Sequence, residues 1–187
     1  MQQLLELDKQ LFRYINYTGS NDFLDAVLPV VRDKMTWVPL YLFLLIFVLI
    51  NFKKTGIWWI VFAAATAGLT NIISSDVIKE NMFRLRPCND PDMADKLRFL
   101  LSYTPQSSSF TSSHAANHFG LAAFFFFTSY KYIAKLAWLF YVWAVVIIYA
   151  QVYVGVHYPL DVIAGGMVGF LFGYLSALSF NKNYTLS

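Results

Sequence analysis

Charge is scarce in this sequence: Asp, Glu, Lys and Arg make up 13% of its 187 residues, while 58% are apolar and 19% aromatic. A soluble domain carries about a quarter charged residues, so a chain this poor in charge is suited to meeting a bilayer. Cysteine is rarer still. Cys88 stands alone, which excludes an intramolecular disulfide and leaves the redox compartment open. No Lys/Arg-rich run accompanies the net charge of +3, and nucleic acid is not an expected partner. The first twenty residues lack an unbroken apolar stretch, because Glu6, Asp8, Lys9 and Arg13 interrupt it. A cleaved signal peptide is not expected from such a segment. The length suits one domain, residues 1–187.

What the sequence has in abundance is apolar runs. Five of them, at 35–52, 56–78, 114–130, 133–154 and 160–180, approach or exceed the roughly 20 residues that a helix needs to cross a hydrocarbon core. They lack the alternation of membrane β-strands, so helices are the expected way to satisfy their backbone groups. Residues 1–34 read differently. Leu4, Leu5, Leu11, Phe12 and Ile15 form a stripe among charges, a turn follows at 17–21, and 22–32 repeats the pattern with Phe23, Leu24, Val27 and Leu28. Two short helices lying in the interface fit this segment; the alternative is that 22–31 pairs with the bundle as a partly inserted helix. The expected fold is all-α: an integral membrane bundle of about five transmembrane helices (35–180), preceded by amphipathic interfacial helices (1–34).

One long polar loop, 79–113, separates the second and third spans, and loops of that length are usually functional or disordered. Counting spans puts the Lys53-Lys54 turn, the 131–135 turn and the C-terminal tail on one side of the membrane. That side has five lysines and no acid, and its short basic loops mark it as cytoplasmic. Lys79 and Arg86 follow the second span, Ser112, Ser113 and His114 lead into the third, Gln151 ends the fourth, and His157 and Asp161 straddle the start of the fifth. All of these fall at the opposite face. Ionisable groups at membrane depth are costly and usually face a wet cavity, so the pooled cations, imidazoles, hydroxyls and carboxylate suit an anion-processing site.

The segment Lys79-Glu-Asn-Met-Phe-Arg-Leu-Arg86-Pro87 matches the K-x6-R-P motif of the type-2 phosphatidic acid phosphatase superfamily. Ser112-Ser113-His114 resembles its P-S-G-H motif, and Gln151-x5-His157-x3-Asp161 resembles its S-R-x5-H-x3-D motif. The order, the spacing and the placement at helix ends all agree, although the motifs cover only residues 79–161. The resemblance implies a metal-independent, cofactor-free membrane lipid phosphatase or diphosphatase working through a phosphohistidine. His157 would be the nucleophile, Asp161 would hold its other ring nitrogen, and His114 would protonate the leaving oxygen and then activate water. Lys79, Arg86, Ser112, Ser113 and Gln151 would bind the phosphoryl group, whose transition state spreads negative charge over three oxygens. The small bacterial members that this chain resembles suggest an inner-membrane protein with its site facing the periplasm or outside. The substrate would be a membrane lipid phosphate.

The chain departs from the pattern in two places. Thr111 and Ser113 stand where the family has Pro and Gly, and Ala150-Gln151 replaces Ser-Arg. Glutamine offers one neutral NH₂ where arginine offers a charged fork. Gln151 is expected to donate to phosphate still, with Lys79 and Arg86 carrying more of the charge and Arg84 or Arg98 as candidate substitutes. Two other functions compete: a lipid phosphotransferase using the same intermediate, and a non-catalytic lipid-phosphate binder or transporter with a degenerate site. The lipid is not legible, since selectivity would come from loop 88–109 and a lateral groove.

Several features have plainer readings. Asn71, Ser75 and Lys79 form a polar stripe flanked by Thr66, Thr70 and Ser74, suited to bundle packing or to chemistry. His114 and His118 have a metal-compatible spacing, but H-A-A-N-H lacks the glutamate of H-E-x-x-H and no third ligand is evident, so no metal is expected. Gly165, Gly169 and Gly173 offer close packing inside the bundle, with a homodimer face as the alternative. The 124–127 phenylalanine run reads as lipid-facing bulk, and Trp37, Trp58, Trp59 and Trp138 read as interfacial anchors.

Overall fold

The computed structural model describes residues 2–186, apart from the side chains of Ala94 and Asp95, and every regular element among them is helical. Two amphipathic helices come first, α1 (Gln2–Arg13) and α2 (Asp22–Val31). The Asn21 side chain caps α2 by accepting the Leu24 N–H at 2.9 Å.

Next comes α3 (Val38–Ile72), which a short π-helical stretch (Ile73–Ile78) and the three-residue α4 (Lys79–Asn81) extend. A straight helix the length of α3 would measure about 52 Å, far more than the roughly 30 Å of a hydrocarbon core. The chain instead doubles back at Lys53, whose φ is 47°. A Cβ on Gly56 would lie 2.4 Å from the Val48 carbonyl oxygen, whereas residues eight apart in a straight helix stand about 12 Å apart. The same reversal recurs at Ala134 (φ 45°), between α5 (Ser113–Ile133) and α6 (Trp138–Tyr153). There Phe126 packs on Trp138 and Phe125 on Phe140, with ring centroids 4.9 and 5.2 Å apart. With α7 (Pro159–Asn183), the described residues hold three apolar helical stretches long enough to cross a membrane, Lys34–Asn81, Ser113–Tyr153 and Pro159–Asn183, and the first two each double into two limbs at Lys53 and Ala134.

The centre of the bundle is the α5–α7 contact. A Cβ on Gly165, Gly169 or Gly173 would come within 2.5, 2.1 and 2.2 Å of the carbonyl oxygens of Ser112, Ala116 and Gly120. The glycine stripe therefore lets two backbones of one chain approach, and the homodimer alternative for Gly165, Gly169 and Gly173 is corrected: that face is already covered. Phe124 and Phe125 are buried against Trp59 and Phe180 rather than turned to lipid. Trp59 is likewise no interfacial anchor, since its indole N–H donates to Thr128 Oγ1 at 2.8 Å inside the core.

The N-terminal helices dock on the site end of this bundle. Asn16, fully buried between them, donates to the carbonyls of Arg98 and Tyr153 at 2.7 Å each and accepts the Arg98 N–H at 2.9 Å. Leu28 of α2 packs against Ala150 and Tyr153 of α6. Residues 22–31 thus pack against the bundle.

Candidate active site

The polar groups gather where α4, α5, α6 and α7 end or begin. The π-helical stretch before Lys79 widens the last turn of the second limb, a distortion frequent at functional sites. On that limb Thr66 donates to Ser176 Oγ at 2.6 Å, Thr70 to Asn117 Oδ1 at 2.8 Å, and Ser75 meets Ser113 Oγ at 2.9 Å. The polar stripe thus binds helices along its length and reaches the cavity only at Lys79; Asn71 is exposed. Pro159 begins α7, and Gly155 (φ 90°) makes the preceding turn. A side chain at Gly155 would strike Leu97 and the Arg98 carbonyl, so the turn that presents His157 requires glycine.

A cavity of about 200 Å³ is lined by Lys79, Arg86, Ser113, His114, Gln151 and His157, all of them sequence candidates. Arg32, Tyr103, Pro105 and Ser107 complete it. Arg86 Nη1 lies 3.1 Å from His157 Nε2, while Nε and Nη2 donate to the carbonyl and hydroxyl of Ser107 at 2.8 and 3.0 Å. A guanidinium only donates, so Nε2 carries the lone pair and Nδ1 the proton. Burial pushes the His157 pKa down to about 4, with the Arg86 charge adding to the effect and Asp161 opposing it. The ring is neutral at pH 7, with its lone-pair nitrogen turned to Arg86 of the cavity.

Behind the ring the arrangement differs from a direct His–Asp pair. Asp161 Oδ2 stands 3.8 Å from Nδ1, too far for a hydrogen bond, and Ser109 lies between them. Its hydroxyl donates to Asp161 Oδ2 at 2.5 Å and sits 3.4 Å from Nδ1. Asp161 also accepts the Tyr158 N–H at 2.9 Å and Arg84 Nη1 at 2.7 Å. Arg84 stacks over the Tyr158 ring and gives its other nitrogen to Asp8 of α1 at 2.6 Å, and Asp8 accepts the Leu160 N–H at 2.9 Å.

Ser112 caps α5, accepting the Ala115 N–H, and its hydroxyl does not line the cavity. Neither Arg84 nor Arg98 substitutes for the missing arginine: Arg84 serves Asp161, and Arg98 pairs with Asp25. His118 Nδ1 lies 2.8 Å from the His114 carbonyl and its ring packs on Trp143, a structural placement. Sequence reasoning missed Arg32, Asp8 and Ser109. The only signal for Ser109 was its place in a Ser/Thr-rich loop end, and Arg32 and Asp8 lay among ordinary surface-helix charges.

An apolar groove of about 400 Å³ runs down the bundle between Tyr41, Leu44, Trp59, Ala63, Leu121 and Phe125, with Lys34 at its end. A smaller pocket bounded by Arg32, Asp33, Lys34, Tyr103 and His114 shares Lys34 with the groove and Arg32, Tyr103 and His114 with the cavity.

The sequence profile of the PAP2 superfamily matches residues 56–185. The chain is 32% identical to a lipid A 4'-phosphatase from Bacteroides thetaiotaomicron over 92% of this chain and 76% of that one. It is also 32% identical to an undecaprenyl-diphosphatase from Sulfolobus acidocaldarius, over 94% and 79% of the respective chains. The crystal structure of a PAP2 type phosphatidylglycerolphosphate phosphatase from Bacillus subtilis shares the fold, with a TM-score of 0.72, 20% identity, and coverage of 98% of this chain and 88% of that one.

Proposed function

The chain belongs to the PAP2 superfamily, and from that premise we propose that it is a membrane lipid phosphatase or diphosphatase in which His157 is the nucleophile. The observation that carries the role of His157 is its Nε2 lone pair, aimed at Arg86 in a cavity that also holds Lys79 and His114. A phosphate entering the cavity takes over the Arg86 hydrogen bond and brings phosphorus to Nε2. The N–P bond forms as the P–O bond to the lipid breaks, and His114, entering the step as the imidazolium beside the bound phosphate anion, gives the departing oxygen its proton. His157 becomes a phosphoimidazolium whose Nδ1–H faces Ser109 and, beyond it, the Asp161 carboxylate. His114 then takes a proton from water, the hydroxide attacks phosphorus, and the N–P bond breaks to return neutral His157 and release phosphate. Lys79, Arg86, Ser113 and Gln151 hold the equatorial oxygens.

The apolar groove suits the lipid tail: the pocket between it and the cavity shares lining residues with both, so a headgroup would enter while its chain stays among hydrocarbon. The site belongs on the non-cytoplasmic side, in a bacterial inner membrane, with each of the five limbs crossing once. Support comes from the turns around Lys53 and Ala134, which are basic and lie at the limb ends away from Lys79, His114 and Gln151. Purified protein in detergent is to be offered lipid A, undecaprenyl diphosphate, phosphatidate and phosphatidylglycerophosphate, with and without chelator. Chelator-insensitive phosphate release that His157→Ala abolishes is expected. No release from any lipid would sink the reading, and full activity in His157→Ala would remove the nucleophile.

A further inference from the structure

The cavity holds a guanidinium that comes from outside the residues matched by the family profile. Arg32 closes the C-terminal end of α2 and is buried, at 7% exposure. Its Nε donates to Gln151 Oε1 at 3.4 Å, and Nη1 and Nη2 each lie 3.4 Å from the Tyr103 hydroxyl. No carboxylate pairs with it among the described residues; the neighbouring Asp33 instead accepts the Met35 N–H at 2.9 Å. A buried cation without a counter-charge is costly, and it is relieved when an anion binds.

A second, independent group points the same way. Gln151 is fully buried, and its Nε2 has no hydrogen-bond partner among the described residues. Because Oε1 is taken by Arg32, the NH₂ is the end that Gln151 offers to the cavity it lines. All three contacts that hold the Arg32 guanidinium are long for hydrogen bonds, so its fork is free to turn to stronger acceptors.

We infer that Arg32, steered by Gln151 and Tyr103, supplies from α2 the guanidinium that the S-R-x5-H-x3-D pattern places at position 151, and binds the substrate phosphoryl group. The Gln151 NH₂ provides a neutral donor to the same group. An arginine at 151 would bring a second guanidinium against Arg32, so the two residues form an exchanged pair: charge moves from α6 to α2, and glutamine receives it. The N-terminal helices are thereby part of the phosphate site. This inference rests on the phosphatase reading for its substrate but not for its anion chemistry.

The test uses the full chain in detergent with Arg32→Ala, Arg32→Lys, Gln151→Arg and the double variant Arg32→Ala/Gln151→Arg. Tungstate serves as the phosphate mimic in calorimetric binding, beside kcat/KM on the lipid panel. Arg32→Ala is expected to weaken tungstate binding and kcat/KM by about 10- to 100-fold, the range for one lost charge-assisted contact. Arg32→Lys, which keeps the charge but not the fork, is expected to lose less. Gln151→Arg alone is expected to lower activity, yet to restore at least about tenfold in the Arg32→Ala background, a rescue that a merely structural clip between α2 and α6 would not give. Tungstate affinity unchanged within about twofold in both Arg32→Lys and Arg32→Ala, a double variant no better than Arg32→Ala, or no tungstate binding by the wild type would overturn the inference. If Arg32→Ala does not fold, Arg32→Lys decides. If the wild type binds tungstate but releases phosphate from no lipid, the phosphatase reading fails while the tungstate series still decides Arg32.

Discussion

The two faces of the His157 ring are built in opposite ways. Behind Nδ1 the polar groups are saturated: Asp161 accepts from Arg84, Ser109 and the Tyr158 amide, and Asp8 takes the other half of Arg84 together with the Leu160 amide. In front of Nε2, donors outnumber their partners among the described residues. Lys79 has none, the Gln151 NH₂ has none, and Arg32 keeps only contacts of 3.4 Å. Arg86 joins the two faces, fixed by Ser107 on one side and turned to Nε2 on the other. A saturated network holds one ring orientation, whereas a cavity of unspent donors waits for an anion. The lesson is a division of labour: stability and orientation come from the back, and binding comes from the front.

That division predicts different signatures for the two sets of variants. The largest effect is expected at the back, for Asp161→Asn. Arg84 loses half its neutralisation and Ser109 loses its anionic acceptor, so kcat should fall by at least about 100-fold and stability by about 3 kcal/mol. Denaturant unfolding beside the rate assay checks both. At the front, Lys79→Gln should weaken kcat/KM by about 10- to 100-fold while leaving the unfolding midpoint unchanged. If it destabilised the protein as much as Asp161→Asn, the contrast between the faces would disappear.

Ser109→Ala should have a smaller effect, about tenfold on kcat with KM little changed, because it removes one bridging hydroxyl but no charge. An effect as large as that of Asp161→Asn would mean that Asp161 acts only through Ser109. Smaller still is the response to mild acid. His157 works as the neutral ring, the form populated above its folded pKa, so it should stay competent down to about pH 4. Imidazole nitrogen shifts that report protonation of His157 near its ordinary 6.5 would show the back face to be wetter than described.

Much of this was legible in the sequence. The apolar runs reappear as apolar helical limbs because the thickness of a hydrocarbon core, not tertiary detail, sets the length of such runs. Lys79, Arg86, His114, Gln151 and His157 met in one cavity because their spacing places them at limb ends on one face. The chain reversals at Lys53 and Ala134 follow from the same count. Of the back face only Asp161 was legible. Arg84 meets Asp8 and Asp161 across more than 70 residues, and no local period encodes such pairs. Ser109 is one of three consecutive serines, and only the folded loop tells which one reaches His157. Arg32 follows an amphipathic helix and reads as an ordinary terminal charge; its partner, Gln151, was visible only as a departure from a pattern.

The central claim, that His157 Nε2 takes the phosphoryl group, is tested most directly by trapping the intermediate. His114→Ala is to be mixed with undecaprenyl diphosphate labelled on its terminal phosphate, whose leaving phosphate needs little protonation, so that the phosphoenzyme should form faster than it hydrolyses; it is then quenched in alkali and mapped by mass spectrometry. The expected result is an alkali-stable, acid-labile phosphoryl group on His157, absent when His157→Ala is added. A label on any other residue, or one that persists without His157, would contradict it.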